Sequence, residues 1–272
     1  RWIVVRDFAP VAALAERSEN FARRAIEHAG EAKQNLKQDL GDGIARLRRE
    51  MDGFEGFFAT LPLDRTVKSR HAHGKLLLNE AEIAFGKGDY DRGRERSGTA
   101  AQEIRAAYQE ARQLLDDYFR QLPGWQKRLA AAVEFSRRER CRVIVVEKIP
   151  ARCHLYDKGV KKYSFPAEFG RNWIGDKRLE GDFATPEGEY KVVKKLAGRQ
   201  TKYYKALLLD YPNAADRARF EQLKKDGRIA ATARPGGLIE IHGGGGRGVN
   251  WTDGCVALDD RDMDKVYGYV RG

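Results

Sequence analysis

The stretch from His242 to Cys255 contains the residues of this chain that are best suited to chemistry. It reads HGGGGRGVNWTDGC and places one of the 5 histidines and one of the 3 cysteines at the two ends of a glycine-rich segment. A cysteine becomes a nucleophile when a neighbouring histidine or converging backbone N–H groups populate its thiolate. Gly254 permits a tight turn before Cys255 and leaves N–H groups to face an oxyanion. The pattern suits acyl transfer, but a free cysteine is often just a small buried hydrophobe, so the residues alone leave both interpretations open.

Three other functions of such a segment lack their required companions. An esterase oxyanion loop that begins HGGG needs a Gly-x-Ser-x-Gly elbow, which this sequence does not contain. A phosphate-binding loop needs Gly-Lys and then Ser or Thr, whereas this segment continues with Arg247-Gly248-Val249. His71 and His73 alternate within a helical pattern and should face different sides of a helix. The sequence therefore predicts no metal site.

A mostly antiparallel β domain is expected to position these residues. From Cys141 onward the chain consists of short stretches rich in Val, Ile, Leu and Tyr, such as CRVIVVEKI, EGEYKVVKK and GLIEIHG. One helix is predicted inside this domain, over NAADRARFEQLKKDGRI, with Asn213 as its cap and Gly227 as its stop. His242 ends the strand LIEI and Cys255 precedes a short closing helix, so a folded loop can bring the two side chains together.

The N-terminal half has helical periodicity instead, with Ala, Leu, Phe and Ile recurring at helical spacing. We expect four or five helices in a bundle or an array of hairpins, with the helix SENFARRAIEHAGEAKQNLKQDL ending at Gly41. The stretch LLLNEAEIAFGKGDYDRGRERSGTA resembles one tetratricopeptide hairpin, but no second copy follows at that period. The predicted fold class is α+β multidomain. A helical bundle over 1–140 acts as a spacer, a partner-binding or a dimerisation surface, and a β domain covers 141–272.

Composition limits the possible partners. Charged residues make up 33% and hydrophobic residues 42% of the 272 residues, which is typical of a globular protein. The net charge of +11 suits an acidic polymer such as nucleic acid, anionic lipid or a carboxylate-rich wall polymer. No nucleic-acid recognition motif accompanies the charge, so we predict no nucleic-acid partner. No apolar run approaches the ~20 residues that cross a bilayer, and the opening RWIVV suggests an export signal or membrane anchor upstream of residue 1.

Several segments of the C-terminal half resemble the L,D-transpeptidase catalytic domain, also called the YkuD domain, of bacterial cell-wall enzymes. The two that contain the family motif are IHG at Ile241–Gly243 and TDGCVAL at Thr252–Leu258. Upstream, GDFATPEGEYKV at Gly181–Val192 is similar to the family's Thr-Pro-x-Gly-x-Tyr/Phe segment. The resemblance spans about 141–272 and covers none of the helical half.

This resemblance implies a role for each residue of the motif. Cys255 would be the nucleophile and His242 its general base, with the imidazole oriented by the backbone carbonyl of Gly243 in place of a carboxylate. The oxyanion would be held by the backbone N–H groups of Cys255 and Gly254. Neither a cofactor nor a metal is implied.

The implied reaction is acyl transfer on the stem peptides of peptidoglycan. The Cys255 thiolate would attack the L-centre carbonyl of diaminopimelate, expel D-Ala and form a thioester. A second stem or a protein amine would then take the acyl group, giving a 3–3 cross-link or an anchored protein. If water takes it, the enzyme is an L,D-carboxypeptidase or a hydrolase of such links. A non-catalytic scaffold that only binds peptidoglycan is the alternative from another class, and the expected location is the periplasm or cell envelope.

The carboxylates of such a substrate imply basic and aromatic contacts around the motif. Arg247, in the loop between base and nucleophile, is the first candidate. Trp251 could line the cleft or fix the loop onto the core, and Thr252 stands beside it. Tyr204, together with Tyr203, is expected in a lid over the site.

Asp253 is the clearest departure from the family pattern. It stands where many members have a second histidine, so its substrate contacts are predicted to be specific to a branch of the family. A carboxylate beside the thiol opposes thiol ionisation. We therefore expect Asp253 to be turned away or paired with Arg247.

The two remaining cysteines are predicted to be unpaired. Three cysteines are an odd number, which leaves at least one free thiol in an exported protein, and Cys255 must stay reduced to act. Cys141 and Cys153 could tie the first two strands together, but the expected hairpin register does not set them opposite each other.

Overall fold

The computed structural model describes residues 9–270, which divide into two compact units between Arg112 and Gln113. A helical region is followed by a sheet domain, so the predicted order of helices and strands is confirmed. Among the described residues, no helix combines the length and apolar character needed to cross a membrane.

From residue 9 onward, four helices precede the first described strand: α1 (Ala9–Thr60), α2 (Arg65–Gly86), α3 (Tyr90–Phe119) and α4 (Leu122–Arg138). The expected stop of the first helix at Gly41 is wrong, because α1 continues through it. A β-carbon at Gly41 would lie 3.0 Å from the ring of Phe85, so the missing side chain lets this ring approach the helix. Packing of this kind outweighs the cost of about 1 kcal/mol that glycine imposes inside a helix.

The N-terminal unit has its own apolar core, formed by the second half of α1 with α2 and α3. The buried residues on α1 follow helical spacing and face small or aliphatic residues on the other two helices. They are Leu40, Ile44, Leu47, Met51, Leu77, Leu78, Ala81, Ala100 and Ile104. The turn between α2 and α3 lies at the predicted Gly-Asp-Tyr sequence, and Tyr90 is the first residue of α3.

Within the C-terminal unit, α4 is followed by an antiparallel sheet of three strands, β1 (Arg142–Glu147), β2 (Arg152–Asp157) and β3 (Val160–Pro166). Its hairpin register sets Cys153 opposite Val146 and not near Cys141, and all three cysteines of the chain are free in the structure. The register therefore agrees with the prediction of unpaired thiols.

The second sheet carries the candidate site. It has the order β4 (Val192–Ala197), β5 (Lys205–Leu209), β6 (Glu240–His242) and β7 (Val256–Ala257). Neighbouring strands are antiparallel except for the last pair, which is parallel.

Two helices complete the C-terminal unit, α5 (Ala214–Lys225) and α6 (Asp260–Tyr269). Asn213 caps α5 as predicted, since its side chain accepts hydrogen bonds from the N–H groups of Ala215 and Asp216. The core of the unit is formed by both sheets and α6, and its most buried members include Leu155, Phe169, Leu207, Leu258 and Met263.

Candidate active site

The parallel pair β6–β7 brings the two ends of the glycine-rich segment side by side. Ile241 pairs with Val256 and His242 with Ala257, so His242 ends one strand while Cys255 immediately precedes the other. The Cys255 Sγ accepts a hydrogen bond from the Glu240 N–H at 3.4 Å, which places the sulfur against the strand that carries the histidine.

His242 is held as a single tautomer. Its Nδ1 lies 2.6 Å from the carbonyl oxygen of Gly243, and because that oxygen can only accept, Nδ1 carries the proton. The unprotonated Nε2 is buried and has no hydrogen-bond partner within residues 9–270. This is the contact predicted to orient the imidazole, and it leaves a lone pair available to accept a proton.

Two aromatic rings enclose the imidazole. Tyr203 stacks on His242 with ring centroids 3.5 Å apart and an angle of 9° between the ring planes. Trp251 approaches it edge-on, at 6.0 Å and 74°. With this cover the histidine is 0% exposed to solvent.

Burial sets the protonation state of both groups. It lowers the pKa of His242 to about 4, against the opposing effect of the hydrogen bond to Gly243. It also raises the pKa of the Cys255 thiol, although the Glu240 N–H and the charge of Lys202 act in the other direction. At neutral pH Cys255 is therefore a neutral thiol and His242 a neutral imidazole.

This resting state predicts a steep pH dependence of thiol reactivity. Since only the thiolate is alkylated and burial raises the pKa of Cys255, its rate of reaction with iodoacetamide should rise by about tenfold per pH unit between roughly pH 6 and 8. Peptide mapping by mass spectrometry measures this rate separately from that of Cys141. A rate that is already constant across the range would indicate a preformed thiolate–imidazolium pair and contradict the prediction.

The turn before Cys255 is built by Thr252. Its buried hydroxyl donates to the carbonyl oxygen of Cys255 at 2.7 Å and accepts from the Gly254 N–H at 3.2 Å. Thr252 therefore has a structural role in this turn, and the substrate contact predicted for it stays a prediction. The oxyanion roles of Gly254 and Cys255 stay predictions, and for Gly254 this hydrogen bond to Thr252 would have to open.

Gly254 is required by both backbone conformation and space. Its φ is +137°, and a β-carbon there would lie 2.8 Å from the carbonyl oxygen of Ala184. We expect Gly254→Ala to lower the free energy of unfolding by about 2–4 kcal/mol, from backbone strain and overpacking together. The matched control is Gly244→Ala, where φ is +85° but nothing lies within 4 Å, at a cost of about 1 kcal/mol. Urea denaturation measures both, and equal losses would refute the role of Ala184.

Asp253 pairs with a residue that the sequence did not suggest. Its Oδ1 lies 2.7 Å from Nη2 of Arg171, so the expected pairing with Arg247 is wrong. Arg247 instead lies over the ring of Trp251, with its guanidinium carbon 3.5 Å from the ring centroid. The contact with the Trp251 ring requires Arg247 to lose less of its hydration than an ion pair with a carboxylate would.

Trp251 fixes the loop onto the core through Glu168. The buried Glu168 carboxylate accepts a hydrogen bond from the Trp251 indole at 2.7 Å and another from the Gly248 N–H at 2.6 Å. Of the two roles expected for Trp251, loop anchoring is therefore the one with direct contacts, while its edge still faces His242. Glu168 lies more than 70 positions before this loop, and no spacing in the sequence relates the two.

Tyr203 and Tyr204 lie in different places. The Tyr204 hydroxyl donates to Asp264 of α6 at 3.2 Å, where Lys205 also binds. Tyr203 is the one of the two that stacks on His242, and the site contact of Tyr204 stays a prediction.

Within residues 9–270, no group of three or more His, Cys, Asp or Glu side chains is arranged to hold a metal ion. His71, which was considered for such a site, is buried in the helical unit and lies 3.2 Å from the Tyr108 hydroxyl.

Comparison with known proteins links this site to a family. Residues 142–272 match the model of the L,D-transpeptidase catalytic domain, YkuD. Two curated relatives, both called "Putative L,D-transpeptidase YafK", come from Escherichia coli strains K12 and O157:H7. Each is 30% identical over 99 residues, which are 36% of this chain and 33% of the relative, so the chain spans about a third of their length. A solved structure titled "Structure of Bdellovibrio bacteriovorus Bd1075" matches at 23% identity and a TM-score of 0.34, over 48% of this chain and 44% of the other.

Proposed function

Because its C-terminal half, residues 142–272, matches the YkuD L,D-transpeptidase catalytic domain, we propose that this chain is a cysteine acyltransferase acting on peptidoglycan stem peptides. The supporting observation is that strands β6 and β7 bring Cys255 against the strand that ends at the buried His242, whose Nδ1 donates a hydrogen bond to the Gly243 carbonyl. These three residues lie in the segments IHG and TDGCVAL, which resemble the family motif.

In the proposed first half-reaction, His242 Nε2 accepts the thiol proton as Cys255 Sγ attacks the L-centre carbonyl of diaminopimelate. The carbon–nitrogen bond to D-Ala then breaks, and the histidine returns the proton to the leaving amine. The product is a thioester on Cys255. Because the imidazole is neutral at rest and its Nε2 lone pair is unused, it can act first as a base and then as an acid.

In the second half-reaction an amine attacks the thioester and releases Cys255. A diaminopimelate amine of another stem gives a 3–3 cross-link, and a protein amine gives an anchored protein. Attack by water makes the same enzyme an L,D-carboxypeptidase or a hydrolase. The N–H of Cys255, with that of Gly254 once Thr252 releases it, is proposed to hold the oxyanion in both steps.

Arg247 is proposed as a substrate contact at the rim of the site. Its guanidinium carbon lies 3.5 Å from the centroid of the Trp251 ring, and Arg247 is exposed. A guanidinium can bind a carboxylate through two parallel hydrogen bonds. We propose the same neighbourhood for contacts by Trp251 and Asp253.

The helical half is proposed as a spacer, a partner-binding or a dimerisation surface. Its functional limit is placed at residue 140, although the compact units divide earlier, at Arg112 and Gln113. The proposed location is the periplasm or cell envelope, where peptidoglycan is found.

Two measurements on the full chain test the proposed function. Incubation with a carbapenem, which mimics the D-Ala-terminated donor, should give a covalent adduct by intact mass that Cys255→Ala abolishes and Cys141→Ala retains. Digestion of purified sacculi, followed by mass analysis of the products, distinguishes cross-linking, D-Ala release and cleavage of existing links. The absence of both an adduct and any product would favour the non-catalytic scaffold.

A further inference from the structure

A short segment before β5 covers the base. Thr201, Lys202 and Tyr203 follow the 3-10 turn Gly198–Gln200, and the Thr201 hydroxyl accepts a hydrogen bond from the Tyr203 N–H at 3.1 Å. This bond fixes the backbone that lays the Tyr203 ring on His242. The segment is therefore a built part of the site.

Lys202 brings a positive charge to this cover. Its Nζ lies 5.0 Å from the centroid of the Tyr203 ring. The charge is felt by both reacting groups, since it lowers the pKa of His242 and that of Cys255. In the described part of the chain no carboxylate lies within ion-pair distance of Lys202, and its side chain is exposed.

Two other cations near the site are placed differently. Arg171 is paired with Asp253 and also lies over the Phe183 ring, at 4.0 Å. Arg247 lies over Trp251, the other ring that contacts His242. Lys202 is the cation that contacts Tyr203, the ring stacked on His242.

The chemistry of the scissile bond says which substrate group should meet this charge. In an L,D linkage the nitrogen belongs to a D-configured centre that carries a carboxylate one carbon away. His242 must protonate that nitrogen for it to leave, so the nitrogen has to lie within hydrogen-bond reach of Nε2. The neighbouring carboxylate is then confined to the immediate surroundings of His242.

We propose that Lys202 binds the carboxylate next to the scissile nitrogen, and that Tyr203 is a positioning residue that holds His242 and Lys202 on the same side of the substrate. In a tetrapeptide stem this carboxylate is the C-terminus of the leaving D-Ala, and in a 3–3 link it belongs to the D-centre of the second diaminopimelate. This inference rests on the proposed function and names the part of the substrate that the site recognises.

The test removes the charge of the substrate carboxylate by amidation and, separately, the charge of Lys202 by substitution. Two substrates are used, a stem tetrapeptide and a 3–3 linked dimer, each with the carboxylate next to the scissile nitrogen either free or amidated. We expect wild type to prefer the free carboxylate by about 10- to 100-fold in kcat/KM, the range of a charge-assisted hydrogen bond. Lys202→Gln should lose this preference by slowing only the free-carboxylate substrate, and Lys202→Arg should restore part of it.

The controls separate this contact from a general loss of function. Lys194→Gln, at an exposed lysine of β4, should leave the preference unchanged. Equal slowing of free and amidated substrates by Lys202→Gln would overturn the inference. Loss of the preference for the free carboxylate in Arg247→Gln would also overturn it. Failure of the proposed function is a different result, since wild type would then turn over none of the four substrates and form no covalent adduct.

Discussion

Replacing Cys255 by alanine is expected to reduce the turnover of stem peptides by at least about 10⁴-fold, the scale on which loss of a nucleophile acts. The thioester cannot form without Sγ, and Cys153 cannot replace it, because Cys153 is fully buried in the core of the sheet domain. The measurement is kcat/KM for D-Ala release or cross-linking, with product analysis by mass.

Cys141→Ala is the matched control for this variant, since Cys141 is also a free, partly exposed cysteine of the same unit. We expect it to keep wild-type activity within about twofold, the usual effect of a surface substitution. Activity of Cys255→Ala within tenfold of wild type, with an unchanged urea midpoint, would exclude covalent catalysis by this residue.

Replacing His242 by glutamine is expected to lower kcat/KM by about 10²- to 10⁴-fold. The thiol is neutral at rest because burial raises its pKa, so it needs a base at the moment of attack. In wild type the base form of His242 persists as pH falls until the pKa of about 4 is reached, which predicts constant activity above roughly pH 5 and a decline near pH 4. In His242→Gln, activity should instead keep rising with pH through the neutral range.

Tyr203 provides the control for this pH profile. Tyr203→Phe keeps the ring stacked on His242 and should leave the decline near pH 4, whereas Tyr203→Ala admits water and should move it towards the ordinary histidine pKa of about 6.5. A wild-type profile that already declines near pH 6.5 would contradict the burial argument.

Local patterns in the sequence were sufficient for part of this architecture. Asn213 caps its helix through bonds to residues two and three positions ahead, and the His242–Gly243 contact joins adjacent residues. Such features depend on the types and spacing of near neighbours, which a sequence displays directly. The alternation of β-rich stretches likewise indicated the sheet domain.

Contacts between distant residues were not predictable in the same way. Arg171 and Glu168 meet the nucleophile loop across more than 70 positions, and nothing in their spacing identifies these partners. Gly41 was predicted to end a helix because glycine has a low helix propensity. The packing of Phe85 against Gly41, which outweighs this propensity, joins two different helices and is not visible in the local sequence. The sequence did not distinguish Tyr203 from Tyr204, because their contacts with His242 and Asp264 join residues that are distant along the chain.

The double hydrogen bond of Glu168 has a consequence for how such an enzyme can diversify. Because the Glu168 carboxylate accepts hydrogen bonds from Gly248 and Trp251, the exposed residues Arg247 and Val249 can vary without moving His242 or Cys255. For the proposed function, this means that exchanging these two positions would change the choice of acyl acceptor while Cys255 and His242 keep their places.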